Sequence, residues 1–355
     1  MTVSELIGGT PLLPLRRLVP RNGPRVLVKA EFLNPGGSVK DRIAREMIDA
    51  AEADGSLRPG ATIVEDSSGN TGMGLALIGA ERGYRVIIVC APKVSAEKVT
   101  TLQAYGAQVV RSRGDVTPDH PESSRSLATR LRERIPGAWS SQQFENPHNP
   151  RAHHRTTGPE IWAQTDGAIT HLITNIGTGG TISGTGTYLK QASGGRVTVI
   201  GSDPIGSGYS GAPDAYLVEG SGGSVTDPQQ WPSTYDPAVV DHLERVGDAE
   251  SFAWARLAAR HEGLLMGGTS GTALAALARW TDRLGPEHTV VVVPADTGRG
   301  YLSKLYDDAW LAENGLLADV QRVTATVSER LGLADRSVDR ADLERLLETP
   351  SATVL

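Results

Sequence analysis

Lys40 stands in the run Asn34–Arg42 (NPGGSVKDR), within the first turns of a segment of helical period, where the helix dipole disfavours a cation. A lysine held in such a place has a lowered pKa, and its neutral amine can attack a carbonyl carbon. Taken by itself the residue also reads as a helix lysine that extends its ammonium to solvent beside Asp41. Three further Gly-rich turns accompany it: Ser67–Gly72 (SSGNTG), Gly177–Thr181 (GTGGT) and Gly267–Thr272 (GGTSGT). Each follows or lies close to a strand candidate and opens a helix, which is where an open α/β sheet offers unpaired backbone N–H groups to an anion. In Gly177–Thr181 the hydroxyls of Thr178 and Thr181 join those N–H groups, a set suited to a phosphate. A single turn of this kind serves equally well to bring a strand and a helix close together.

The elements that must hold these turns alternate along most of the chain. Strand candidates are Thr62–Ser67, Arg85–Ala91, Gln108–Arg111, His171–Ile176, Arg196–Asp203 and Thr289–Ala295. Between them the period predicts helices over Ser38–Asp54, Thr71–Arg82, Ser95–Tyr105, Pro121–Ile135, Thr181–Gln191, Ser251–Glu262, Gly271–Leu284 and Gly300–Asn314. This alternation implies a mainly parallel sheet with helices on both faces. Two blocks emerge, about 36–143 and about 150–317, joined by the turn-rich stretch Glu145–Pro150. Residues Ile205–Tyr235 are crowded with Gly, Ser and Pro and read as a cleft-lining or mobile loop rather than packed structure. The polar tail 318–355 reads as a frayed end with one solvated helix near Asp335–Leu347.

Composition narrows the chemistry. The 355 residues exceed the roughly 150 typical of one domain, so the chain suits two bodies flanking a cleft. A formal charge of −6 disfavours nucleic acid and acidic membrane surfaces as partners. The lone Cys90 excludes an internal disulfide and a thiolate metal cluster, and no metal-ligand spacing replaces it. Cys90 itself, inside an apolar strand, reads as a small buried hydrophobe. The start of the chain lacks a signal-peptide pattern and no stretch reaches roughly 18 apolar residues, so a cytoplasmic protein is expected. Neither a dinucleotide fingerprint with its acidic partner nor a Walker sequence is present, which weakens nucleotide cofactors.

The four turns in this order resemble the fold-type II pyridoxal-phosphate (PLP) enzymes of the cysteine synthase and cystathionine β-synthase family. The resemblance covers about Ser4 to Leu317. The segments ELIGGTPLL at Glu5, TTGPEIW at Thr156, GSDPIGSGYSG at Gly201, YLVEG at Tyr216, EGLLMGGTSG at Glu262 and GRGYLSKLYDDAW at Gly298 are most similar to the bacterial cystathionine β-synthase core. The resemblance implies two open twisted α/β domains of the tryptophan synthase β type with the cofactor between them. Residues 1–35 and 144–317 would form the large PLP-binding domain, 36–143 a small mobile domain, and 318–355 a short tail.

The site roles that the resemblance implies are specific. Lys40 would carry PLP, and Gly177, Thr178, Gly179, Gly180 and Thr181 would hold its phosphate. Asn70 would meet the ring hydroxyl, and Thr269 the pyridine nitrogen; a neutral hydroxyl there makes a weaker electron sink than an aspartate and favours β-elimination and replacement. The loop Ser67, Ser68, Gly69, Asn70 and Thr71, with Gln143 across the cleft, would grip a substrate carboxylate. Glu219 would assist the acceptor half-reaction, its plainer reading being a surface glutamate beside Gly220. The implied reaction is β-replacement on L-serine or an O-activated L-serine in a homodimer, with homocysteine giving cystathionine. The rival is a synthase using O-acetylserine or O-phosphoserine with sulfide, thiosulfate or an amine.

Two positions depart from the family pattern. Asp66-Ser67 replaces the usual Pro-Thr before Ser-Gly-Asn-Thr-Gly, which adds a carboxylate near an anion site and signals a change in substrate. His154-Arg155 takes the place of a frequent Tyr, and the pair His153 and His154 reads as surface residues. A PLP-binding scaffold that merely regulates a partner would have lost Lys40 or the carboxylate loop; both are present.

Overall fold

The computed structural model describes residues 1–355 except Ser68, Lys93, Asp115, 117–119, Ala212 and 335–355. In chain order the elements are β1 (Leu12–Pro14), β2 (Arg25–Lys29), α1 (Lys40–Ala53), β3 (Thr62–Asp66), α2 (Asn70–Arg82), β4 (Arg85–Cys90), α3 (Ala96–Ala104), β5 (Gln108–Arg111) and α4 (Ser124–Arg134). They continue with α5 (His148–Arg155), α6 (Thr157–Gln164), β6 (His171–Asn175), α7 (Gly180–Ser193), β7 (Thr198–Pro204), β8 (His242–Val246), α8 (Asp248–Leu257), α9 (Gly268–Trp280), β9 (Thr289–Val293), α10 (Asp308–Glu313) and α11 (Leu317–Leu331).

There are two sheets, in keeping with the two α/β bodies that the resemblance implies. A six-stranded sheet has the order β1-β2-β9-β6-β7-β8, and a three-stranded sheet the order β3-β4-β5. All pairings are parallel except β1 with β2. Every residue of β6 and β9 is buried, as expected for central parallel strands with helices on both faces. One face of the large sheet packs Val26, Val28, Ile173, Val290 and Val292 against α8 and α9, and the other packs Leu172, Val199, Val291 and Val293 against Ile182 and Leu189 of α7. The small sheet buries Ile63 and Ile88 against Ile48 of α1 and Leu75 and Ile78 of α2.

This order sets the site. In the large sheet the chain moves outward from β6 to β7 and β8, while β9 pairs on the other side of β6, so the carboxyl ends of β6 and β9 flank a topological switch point. The carboxyl end of β6 leads into Gly177–Thr181 and that of β9 into Pro294–Asp296. The strap before Lys40 is stitched to that second end, where Val39 N donates to Ala295 O at 2.9 Å and Thr297 N to Gly37 O at 2.9 Å.

Several sequence expectations are corrected. The joint Glu145–Pro150 is a pinned entry into α5, and its Asn149 is buried. Ile205–Tyr235 has little regular structure yet is packed: Tyr209, Val218 and Tyr235 are buried, and Tyr209 donates its hydroxyl to Gly177 O at 2.8 Å. The helix expected over Gly300–Asn314 is a 3-10 turn at Gly298–Tyr301 followed by α10, because Asp307 accepts Ala309 N and restarts the helix. The beginning of the supposed frayed tail is α11, which buries Val320 and Val327 against the body; Asp335–Leu347 lies outside the described residues. The short strands β1, β2 and β8 and the helices α5 and α6 were not expected.

Candidate active site

Lys40 opens α1 on the wall of a cleft of about 250 Å³ that is also lined by Ser67, Asn70, Thr71, Gln143, Gly177, Thr178, Glu219, Gly220 and Ser221. Loss of hydration in this cleft lowers the Lys40 amine below its ordinary value, and the carboxylate of Asp296 opposes the shift only in part. Asp41 is no partner for that amine. Its Oδ2 accepts Gly36 N at 2.6 Å and so fixes the glycine strap, while burial pushes its carboxyl up to about 7.

The turn Gly177–Thr181 ends on the first turn of α7, whose leading N–H groups have no partners within the helix. Its glycines are required by contact. A Cβ on Gly177 would stand 2.8 Å from Gly220 O, and one on Gly180 would overlap the side-chain oxygen of Asn149. Gly179 adds a backbone φ of +82°, a left-handed conformation that suits glycine. Asn149 ties this turn to Gln143: its Nδ2 donates to Gln143 O at 2.7 Å and to Thr178 Oγ1 at 2.9 Å. His153 lies behind the turn, fully buried rather than on the surface, between Thr157 Oγ1 at 2.9 Å and Thr181 Oγ1 at 3.2 Å. Burial and the nearby Arg42 and Lys40 charges hold its imidazole well below the usual histidine range, so it is neutral.

Across the cleft, β3 leads into the loop that opens α2. Ser67 Oγ accepts Gly72 N at 3.0 Å and Gly69 N at 3.3 Å, so it caps the start of α2 and keeps its own proton for a ligand. Thr71 Oγ1 donates to Gln143 Oε1 at 2.6 Å, which brings together the pair that the sequence reading set on opposite sides. Asn70 Nδ2 donates to Asp296 Oδ2 at 2.7 Å, leaving Asn70 Oδ1 buried and without a partner. Ser68 lies outside the described residues.

Asp296 escaped the sequence reading. It is buried, takes the Tyr301 hydroxyl at 2.5 Å as well as Asn70, and burial raises its carboxyl. Tyr301 in turn accepts from Lys98 Nζ at 2.8 Å, and Lys98 reaches Glu219 Oε2 at 3.1 Å, while Lys304 holds Glu219 Oε1. Glu219 is thus buried in an ion-pair knot rather than exposed beside Gly220. Thr269 stands behind Gly220, with its hydroxyl donating to Glu219 O at 2.5 Å and its carbonyl accepting from Asn175 Nδ2 at 2.7 Å.

This arrangement fits PLP: an amine with lowered pKa, a phosphate cradle without room for side chains, and unpartnered Asn70 Oδ1 and Ser221 Oγ in the cleft wall. Residues 3–296 match the family described as pyridoxal-phosphate dependent enzymes, and the chain belongs to that family. Within it the fold is type II. The chain is 42% identical over 322 residues to the cystathionine beta-synthase of Apis mellifera, covering 88% of this chain and 63% of that protein. It is 42% identical to that of Rattus norvegicus, with 88% and 56% covered. The chain therefore spans about six-tenths of the length of these two relatives. A probable cysteine synthase of Bacillus subtilis is 40% identical over 312 residues, 86% of this chain and 96% of that one. Among solved structures, a hydrogen sulfide-producing enzyme from Fusobacterium nucleatum superposes with a TM-score of 0.80 at 32% identity, over 85% of this chain and 99% of that one. No helix among the described residues is long and apolar enough to cross a membrane.

Proposed function

We propose that the protein catalyses PLP-dependent β-replacement on L-serine or an O-activated L-serine, with homocysteine as acceptor and cystathionine as product. The observation that carries the reading is that Ser67, Asn70 and Thr71, with Thr71 joined to Gln143, line one cleft with Lys40. In this reading Lys40 carries PLP, Gly177–Thr181 hold its phosphate, Asn70 meets the ring hydroxyl and Thr269 the ring nitrogen. The bound cofactor supplies an electron sink that weakens the Cα–H and Cβ–leaving-group bonds of an amino acid. The chain's residues do the rest. Ser67 and Thr71 orient the carboxylate, and the lowered pKa leaves the Lys40 amine able to accept the Cα proton and return it. Glu219 lines the cleft, where hydroxide from serine needs a proton to leave, and is itself held by the ammonium groups of Lys98 and Lys304, which do not line that space.

Residues 36–143 are proposed as the small mobile domain, whose seam with the rest includes Ser95 Oγ donating to Gly300 O at 2.7 Å and Glu97 accepting from Ser303. A cytoplasmic homodimer is the proposed setting. The relatives named cysteine synthase favour a second reading in which O-acetylserine or O-phosphoserine reacts with sulfide, thiosulfate or an amine.

The test is a matrix of serine, O-acetylserine and O-phosphoserine against homocysteine, sulfide, thiosulfate and amines, with borohydride fixation of PLP on the Lys40 peptide. Glu219→Gln should slow cystathionine formation by at least about tenfold while PLP content stays at the parental level. Cystathionine formation at the parental rate in that variant removes the role given to Glu219, and a parent that ignores homocysteine hands the assignment to the second reading. A protein that never becomes yellow with PLP overturns both.

A further inference from the structure

Asp66 ends β3 and immediately precedes the anion loop, at the position where the chain departs from the family pattern. It lines the active cleft and also an adjoining hollow of about 180 Å³, and Gln143 and Phe144 are likewise common to both spaces. The hollow is built. One side of it is α4, which presents Arg125, Ala128, Thr129 and Arg132 to the space, a spacing of i, i+3, i+4 and i+7 that puts all four on one helix face. The rim turn is locked by buried Glu65, whose Oε2 accepts Ser140 Oγ at 3.0 Å and Ser141 N at 2.9 Å. The next residue, Gln142, lines the hollow with a φ of +49°, a left-handed conformation uncommon outside glycine and frequent at ligand sites.

The charges are separated. Carboxylate from the end of β3 lies at the junction with the cleft, and guanidinium groups line the α4 side. Inorganic sulfide offers no cation to the carboxylate and no bidentate carboxylate to the guanidinium groups. A thiol-bearing α-amino acid offers an ammonium and a carboxylate to both, while its side chain can extend through the junction toward the cleft where Lys40 stands. Burial raises the Asp66 carboxyl above its ordinary value, and the Ser124 hydroxyl and the Arg125 charge oppose that shift only in part. We infer that the hollow is an acceptor subsite selecting a zwitterionic thiol amino acid, with Asp66 holding its ammonium and Arg125 and Arg132 its carboxylate.

The inference rests on the β-replacement reading, and the experiment separates the two. With one donor fixed, KM is measured for homocysteine, for 4-mercaptobutanoate (no ammonium), for 3-mercaptopropylamine (no carboxylate) and for sulfide, in the parent, Asp66→Asn and the double variant Arg125→Gln/Arg132→Gln. Asp66→Asn should raise KM on the order of tenfold or more for homocysteine and 3-mercaptopropylamine. It should leave 4-mercaptobutanoate and sulfide unchanged. The double arginine variant should raise KM for homocysteine and 4-mercaptobutanoate but not for the amine. A homocysteine KM unchanged by either variant overturns the subsite, as does an equal rise for sulfide. A parent that uses sulfide but not homocysteine overturns the subsite and leaves β-replacement standing; a parent that processes no donor with any acceptor overturns both.

Discussion

The turn Gly177–Thr181, proposed to hold the PLP phosphate, allows the effect of one methyl group to be divided into two parts. Gly179 and Gly195 share a φ of +82°, but a Cβ on Gly179 would stand 2.6 Å from Tyr235 Cα, whereas one on Gly195 meets nothing within 4 Å. Gly195→Ala therefore isolates the left-handed backbone penalty, about 1 kcal/mol. Gly179→Ala carries the same penalty plus a collision with backbone. Ordinary carbon contacts are about 3.5–4.0 Å, so the turn must move by roughly 1 Å, and overpacking of this kind costs about 1–3 kcal/mol. The expected totals are about 1 kcal/mol for Gly195→Ala and about 2–4 kcal/mol for Gly179→Ala. That movement misaims the N–H groups of the α7 first turn, each worth about 1.5–3 kcal/mol to an anion, so PLP should bind roughly 10- to 100-fold more weakly. Urea denaturation of the cofactor-free proteins reads the first quantity, and PLP titration followed by visible absorbance reads the second. Equal destabilisation by the two substitutions, or parental PLP affinity in Gly179→Ala, would refute the account of the cradle.

Two further outcomes are expected. Burial raises the Glu65 carboxyl from 4.5 to about 7. The folded state therefore holds the proton more tightly than the unfolded chain, so the contribution is fully present below about pH 4.5 and is lost as pH climbs to about 7, a change of about 3 kcal/mol. Glu65→Gln should flatten the fall in denaturation midpoint between pH 5 and 8; an unaltered pH profile contradicts the buried carboxyl. His153→Ala should weaken PLP binding by about tenfold through the freed Thr181 hydroxyl, with little change between pH 6 and 8 because the imidazole is neutral in the fold. A PLP affinity in the parent that tracks a titration near pH 6.5 and vanishes in the variant would show a charged histidine instead.

Local chemistry carried a large part of this protein in its sequence. The run Thr289–Val293 reads as a buried parallel strand because its continuous apolar residues suit burial on both faces. The turns at Asn34, Ser67, Gly177 and Gly267 are legible for a similar reason: a helix start that offers N–H groups to an anion is encoded within about six residues. Lys40, the turn ending in Thr71 and the turn Gly177–Thr181 therefore stood out in the sequence, and the fold brings residues of all three to one cleft. Other features depended on neighbours far along the chain. β8 (HLERV) has charged residues and gains its strand from pairing with β7, and α5 (HNPRAHHR) carries turn residues that gave it the look of a joint until packing against α7 and α1 made it a helix. His153 is buried because it is covered by that packing. Asp296, Tyr301, Lys98, Glu219 and Lys304 form one knot although Lys98 and Glu219 are 121 positions apart, and Asp66 shares a hollow with Arg125 and Arg132 although α2, β4, α3 and β5 lie between them in the chain. Such meetings are fixed by which strands pair and which faces are covered, and burial then makes isolated charges so costly that they must find partners wherever the fold brings them.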